Sequence, residues 1–325
     1  MSDVAGGAGA HGAPDGVGAE RTPDGSGVAA AGAGPDGVGA APGVAGSAGA
    51  DVLAPLAARY AAWHGLPAHA VADVRDEDPD DVRAMPVVLR LERDPVPSRT
   101  PLLEAAAAAA VAVCLDPRAE PGGEWHEALA AWVSGRIRKV ARRARGAHWR
   151  AVQDLPGVTI AVPGPDGVAR AVGRDGTAGS DGMAGSDAVA EVRALLPCRV
   201  SELPKTVSRL QISGSDLPAD APGPPPAGVP VLWLNPDVEM TVGKAAAQVG
   251  HATMLLASVL DAEQRATWAR DGFRCAVRTP SPERWAAMLP DDPATAWRKR
   301  GVISVRDAGF TEIAPGTITV LAEAP

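Results

Sequence analysis

Apolar residues run without a break through VPVLWL, residues 229–234, a pattern suited to a short buried strand, and NPD after it is turn chemistry. The pattern then changes to one predicting a helix from about 243 to 260, with Gly243 near its start. DAEQRATWARDG predicts a second helix, capped by Asp261 and closing at Gly272. FRCAVR, 273–278, alternates as a strand does. TPSPERWAAML opens a further helix, with Ser281 as cap and Pro282 at the first helical position. GVISVRDAG, 301–309, predicts a strand ending in a turn, and GTITVLAEA, 316–324, a last strand. The order β-α-α-β-α-β-β predicts an α/β fold of three layers, a mixed β-sheet flanked by helices.

The middle of the chain repeats this unit in degenerate form. MPVVLRLERD at 85–94 answers VPVLWLNPDV at 229–238, an offset of 144, and an alanine-rich helix follows in both. Trp132 and Gly135 precede RIRKVARR as Trp268 and Gly272 precede FRCAVR, and Trp149 answers Trp285. PGVTIAV at 156–162 answers GVISVRD, with an inserted acidic loop near PDDPATAW accounting for the shift in offset. An internal duplication is the expectation, and with it a chain that forms a monomeric pseudo-dimer, a homodimer being the alternative. Residues 1–50, rich in Gly, Ala, Pro and Asp, cannot offset ordering costs of about 1–2 kcal/mol per residue and read as a disordered tail. Residues 51–84 read as a helical, acidic lead-in, 85–214 as the degenerate domain with a low-complexity insert at 164–188, 215–228 as a Pro-rich linker, and 229–325 as the domain with the regular pattern.

Charge and composition narrow the function. The formal charge is −8 over 325 residues. Five acids against one base in 1–50, and seven against three in 51–84, carry it, so the remainder is nearly neutral. Within that remainder RIRKVARRARGAHWR, 136–150, has no acid at all. Arg136, Arg138, Lys139, Arg142 and Arg143 are candidates for phosphate contact, the alternatives being a solvated strand and helix edge or partners for the acidic run at 73–81. Three widely spaced cysteines give no metal spacing and fit a reducing compartment. No apolar run reaches the roughly 18 residues of a membrane span. The start of the chain has neither a basic region nor an apolar signal core, so the expectation is a cytoplasmic protein without membrane attachment.

Two stretches carry candidate chemistry. In VGKAAAQVGHA, 242–252, Gln248 and His251 fall within about 40° of Lys244 around a helix. The glycine-lysine pair is not a nucleotide loop, since Val238 and Ala245 stand where Gly and Ser or Thr are required. Backbone N–H groups, the helix dipole and the lysine still favour an anion nearby. VRDAGFTEIAPGT, 305–317, sets Asp307 and Thr311 at the carboxyl end of a strand, where α/β sites commonly lie.

Together these stretches, MTVGKAAAQVGHA at 240–252, GFRCAV at 272–277, DAGFTEIAPG at 307–316 and TVLA at 319–322, resemble the type 2 peptidyl-tRNA hydrolase family. The resemblance implies metal- and cofactor-independent hydrolysis of the ester joining a peptide to tRNA. It implies Lys244, Asp307 and Thr311 as catalytic residues, with Gln248, His251 and Thr319 beside the substrate. Phe310 and Glu312 depart from the family, which usually has a basic residue and Gln there. At the offset of 144, Thr100, Glu104, Ala107 and Pro163 stand for Lys244, Gln248, His251 and Asp307, so the first copy is expected to be catalytically silent. The expected function is peptidyl-tRNA hydrolysis by water attack, and the alternative is a non-catalytic RNA-binding or regulatory protein on the same scaffold.

Overall fold

Each half of the chain builds a mixed sheet, and the two sheets share one strand order. The computed structural model describes residues 51–162, 170–172, 189–212, 214 and 216–325. In the first half, β1 (Arg83–Arg90) runs parallel to β2 (Arg138–Ala144). It pairs antiparallel with β5 (Ala190–Leu195), which pairs antiparallel with β3 (Gly157–Val162). The order is β2-β1-β5-β3, extended by β4 (Arg170–Val172) beyond β3 and by the short β6 (Cys198–Arg199) on β1. In the second half, β7 (Val231–Leu234) runs parallel to β8 (Ala276–Arg278) and antiparallel to β10 (Ile318–Glu323), which pairs antiparallel with β9 (Val302–Arg306). The order β8-β7-β10-β9 matches that of the first sheet strand for strand and direction for direction.

The helices follow the same plan. α3 (Arg99–Cys114) and α4 (His126–Ser134) connect β1 to β2, and α5 (Gly146–Val152) leads to β3. α7 (Val242–Val259) and α8 (Ala262–Arg270) connect β7 to β8, and α9 (Pro282–Met288) follows. α1 (Ala54–Gly65) and α2 (Ala68–Val71) form the lead-in, and α6 (Lys205–Ser208) follows the first sheet. The stretch expected to be an acidic loop is instead α10 (Pro293–Arg300). Its Asp292 cap accepts from Ala294 N at 3.2 Å, Pro293 opens it, and Gly301 ends it in the left-handed region. β4 is likewise a strand inside the stretch read as low-complexity; the rest of 164–188, and the tail at 1–50, lie outside the described residues.

Local details repeat between halves. The Trp132 indole donates to the Arg138 carbonyl at 3.0 Å, and the Trp268 indole donates to the Arg274 carbonyl at 2.8 Å. Just before each strand a non-glycine residue takes a positive φ, Ile137 at 41° and Phe273 at 58°. Such conformations are uncommon, so their recurrence at the same place after a buried tryptophan reflects one local design used twice.

α3 and α7 pack against each other in the central core, which draws residues from both halves. α3 is buried on nearly every side, as a helix whose last ten residues are all apolar must be. Small side chains let the backbones approach. A Cβ on Gly250 would lie 3.0 Å from the Ala110 Cβ, and Thr253 Oγ1 donates to the Ala107 carbonyl at 2.7 Å. α3 packs on β3 and β5, and α7 on β9 and β10. The outer faces are closed by smaller cores, Trp149 and Val152 against Val88 and Leu195 on one sheet, and Trp285 against Trp233, Val302 and Leu321 on the other. The structure is therefore α/β, with mixed sheets flanked by helices, as expected.

Sheet edges are covered by side chains. On β9 the Tyr60 hydroxyl accepts from Ser304 N at 2.7 Å and the His64 ring bonds the Ser304 carbonyl at 3.0 Å. On β8, Glu104 Oε1 accepts from Val277 N at 3.0 Å. These contacts occupy backbone groups that an exposed edge would offer to another chain. No helix among the described residues is long and apolar enough to cross a membrane.

Candidate active site

β7 and β9 run in the same direction, both antiparallel to β10 between them, so their carboxyl ends lie on one side of the sheet. α7 begins just after β7, and Asp307 follows β9 directly. The N-cap of α7 is Thr241, whose Oγ1 accepts from Lys244 N at 3.2 Å. This fixes Lys244 in the first turn, pointing toward the end of β9.

The loop after β9 holds its carboxylate rigidly. Asp307 Oδ1 accepts from Gly309 N at 2.8 Å, an Asx turn. Gly309 sits at φ +81°, and a Cβ there would come within 2.4 Å of Pro315 Cγ, so the Ala-Gly and Ala-Pro-Gly pieces of the motif are locked together. Asp307 N donates to the Thr317 carbonyl at 2.9 Å, and Gly316 N donates to the Asp307 carbonyl at 2.8 Å. Glu312 joins the loop to the helix start, accepting from Thr241 Oγ1 at 2.9 Å and from Thr241 N at 3.2 Å.

Within this frame the Lys244 ammonium donates to Asp307 Oδ2 at 2.7 Å and to Thr311 Oγ1 at 3.1 Å. Gln248 Nε2 donates to the same Asp307 Oδ2 at 2.7 Å. Thr319 Oγ1, on β10, donates to Gln248 Oε1 at 2.5 Å, which fixes the orientation of the amide. The Lys244 and Asp307 side chains are only 9% and 6% exposed. Screening is weak there, and the gross attraction of such a pair is roughly 4 kcal/mol at an effective dielectric near 20. Thr311 lies at the exposed rim. The site is thus graded, with Thr319 and Gln248 buried beneath, the ion pair between, and a hydroxyl at the mouth.

The sequence brought five of these residues forward, and the structure joins Lys244, Asp307, Thr311, Gln248 and Thr319 in one network. Thr319 and Gln248 do not face solvent as substrate-lining residues would; they are buried and hold the carboxylate. His251 is turned away from this network. Its Nδ1 lies 3.0 Å from the Lys139 ammonium of β2. Burial, and then the Lys139 and Lys244 charges, hold its pKa well below the usual histidine value. Burial likewise lowers Lys139 to about 7.

The arginine row has protein partners rather than a bare surface. Arg136 and Arg138 form ion pairs with Asp76 and Glu77 of the acidic lead-in. Arg142 donates to the Leu210 carbonyl at 2.8 Å and Arg143 to the Gly214 carbonyl at 2.7 Å. Arg136 and Arg138 thus meet acids some 60 residues upstream. In the first half, the positions answering Lys244 and Gln248 have structural contacts: Thr100 Oγ1 donates to Asp220 at 2.5 Å, and Glu104 pairs with Arg278 at 2.9 Å. Pro163 lies outside the described residues.

Sequence reading missed three features. Glu312 bonds the α7 cap, the lead-in helix braces β9, and Arg138 lies over the Phe310 ring, 4.7 Å from its centroid. Tyr60, Trp63 and His64 share one face of α1 by their three- and four-residue spacing, which was the available signal for the second. Among the described residues there is no group of three or more His, Cys, Asp or Glu able to hold a metal ion.

Comparison with known proteins places these residues in context. The family described as Peptidyl-tRNA hydrolase PTH2 matches residues 229–325. A peptidyl-tRNA hydrolase of Haloquadratum walsbyi is 33% identical over 89 residues, covering 27% of this chain and 78% of the relative. One of Methanopyrus kandleri is 34% identical over 101 residues, 29% of this chain and 82% of the relative. One of Thermococcus onnurineus is 33% identical over 100 residues, 29% and 81% respectively. No solved structure gives a significant match.

Proposed function

Since the chain belongs, through residues 229–325, to the peptidyl-tRNA hydrolase family just described, we propose that it hydrolyses the ester between a peptide and the 3′ ribose of tRNA. The observation that supports this most is the buried Lys244–Asp307 pair, joined by Thr311 at the rim and by Gln248 beneath. A carboxylate held by three donors needs no metal to be positioned, and one lone pair of Oδ1 stays available to a water.

In this reading Asp307 orients the water and takes its proton as it attacks the ester carbonyl. The carbonyl oxygen becomes an oxyanion beside the Lys244 ammonium, which has an N–H beyond the two that reach Asp307 and Thr311. Collapse breaks the bond to the ribose oxygen, and the proton held by Asp307 passes to that oxygen, giving tRNA and a free peptide acid that loses its proton to water. Thr311 aligns the water or the neighbouring ribose hydroxyl. General-base help of about 10²–10⁴-fold is joined by oxyanion stabilisation as the larger contribution.

The identical strand order of the two sheets, the paired tryptophan contacts and the paired positive-φ residues support an internal duplication. In this reading the first half is a silent copy that covers α7, the chain works as a single-chain pseudo-dimer, and its place is the cytoplasm, where translation supplies the substrate.

The test is incubation of the full chain with an N-acetylated aminoacyl-tRNA. The expected result is release of the N-acetyl amino acid by the wild type, and loss of at least about 10²-fold in rate for Lys244→Ala. A wild type that binds the tRNA and releases nothing would establish the non-catalytic RNA-binding alternative instead.

A further inference from the structure

We propose that Phe310 is a stacking platform for the 3′-terminal base of the RNA, held from behind by Arg138. The proposal rests on the peptidyl-tRNA reading above and names how the end of that substrate is gripped.

Phe310 is 43% exposed, and the other exposed large hydrophobics among the described residues are aliphatic. A loop aromatic left open to water asks for an explanation, and its position supplies one. The next residue, Thr311, accepts from the Lys244 ammonium at 3.1 Å, so the ring stands at the rim of the site. The loop is fixed beneath it by Gly309 packing on Pro315 and by Glu312 bonding Thr241. The ring is therefore presented on a rigid element.

Arg138 decides what the ring presents. Its guanidinium lies 4.7 Å from the ring centroid. Its Nη1 and Nη2 donate to the two Glu77 oxygens at 2.7 and 2.5 Å. An arginine whose donors are engaged by a carboxylate makes a poor phosphate ligand, while its planar face still supports an aromatic ring. The assembly Glu77–Arg138–Phe310 is close to neutral and offers a π surface rather than a cation. An unpaired base fits such a surface, since every base has a face to stack and stacking demands no particular charge. The ester sits on the ribose of the terminal nucleotide, and Phe310 is one residue from the hydroxyl placed beside that ribose, so the terminal base is the one within reach.

The test uses the full-length chain and tRNA carrying 2-aminopurine in place of the 3′-terminal base, with fluorescence reporting stacking and titration giving affinity. The wild type is expected to quench the probe. Phe310→Ala is expected to abolish the quenching and to weaken binding by about 5- to 100-fold, the range for loss of one base–aromatic stack, with thermal melting unchanged because the ring is exposed. Phe310→Trp is expected to restore both. With N-acetylated aminoacyl-tRNA, Phe310→Ala should raise KM and leave kcat within about twofold. A wild type that binds without quenching, or a Phe310→Ala variant that quenches and binds as the wild type does, overturns the platform. Quenching by a wild type that releases no product would support the platform and refute the hydrolase reading. Hydrolysis by a wild type whose Phe310→Ala variant is unchanged would refute the platform alone, and a wild type that neither binds nor hydrolyses refutes both.

Discussion

Gln248 is the residue on which the carboxylate's geometry turns. Its amide donates to Asp307 at 2.7 Å and accepts from Thr319, all within a buried layer. Gln248→Leu, close in volume, removes one of two donors on Oδ2 and leaves the Thr319 hydroxyl short of its partner. A hydrogen bond to a charged group contributes about 1.5–3 kcal/mol, so kcat for peptidyl-tRNA is expected to fall roughly 10- to 100-fold, with a lower urea midpoint as well. Unchanged kinetics would show that Lys244 alone positions Asp307. Most of this site could be read in the chain: a lysine in the first turn of a helix and an aspartate ending a strand both lie at carboxyl ends of parallel strands. The depth of Thr319 could not be read. ITVLAE is mostly apolar on both faces, as a strand covered on both sides must be, so alternation gives no inside and outside.

At the scale of elements, α7 belongs to both halves of the molecule. One part of it carries Lys244 and Gln248, and further along His251 meets Lys139 of β2 while Gly250 admits α3. The alanine-rich pattern announced close packing but not its partner, because the contacting residues Ala107 and Thr253 lie 146 positions apart in the chain. α10 was hidden for a different reason: its acidic cap and proline were taken for loop chemistry, although both are helix starts. The Lys139 contact has a pH signature. Burial lowers this lysine from 10.5 to about 7 in the folded chain, while the unfolded chain keeps it protonated to about 10.5. Between these values the unfolded state binds more protons, so folded stability rises with pH by up to about 1.4 kcal/mol per unit. Denaturant titrations from pH 7 to 9.5 should show the wild type gaining stability relative to Lys139→Met. Parallel curves for the two proteins would mean that Lys139 stays charged when folded.

At the scale of the whole molecule, two sheets of one strand order share a core, and the Lys244–Asp307 ion pair lies on the second. The lead-in helix closes the β9 edge and Glu104 the β8 edge, so the sheet that carries the site is braced by residues from outside the family-matched segment. Arg136 and Arg138 tie the first sheet to the acidic lead-in through Asp76 and Glu77. The sequence repeat was visible in short matches of tryptophans and apolar runs; the shared strand order could only come from pairing over long separations, which no local pattern encodes. In the proposed mechanism Asp307, held by Lys244 and Gln248, activates the attacking water. The direct measurement is single-turnover hydrolysis of an N-acetylated aminoacyl-tRNA by Asp307→Asn, alongside its equilibrium affinity for the same tRNA. The expected result is a rate reduced by at least about 10²-fold with affinity within about threefold of wild type. Hydrolysis at the wild-type rate would contradict it.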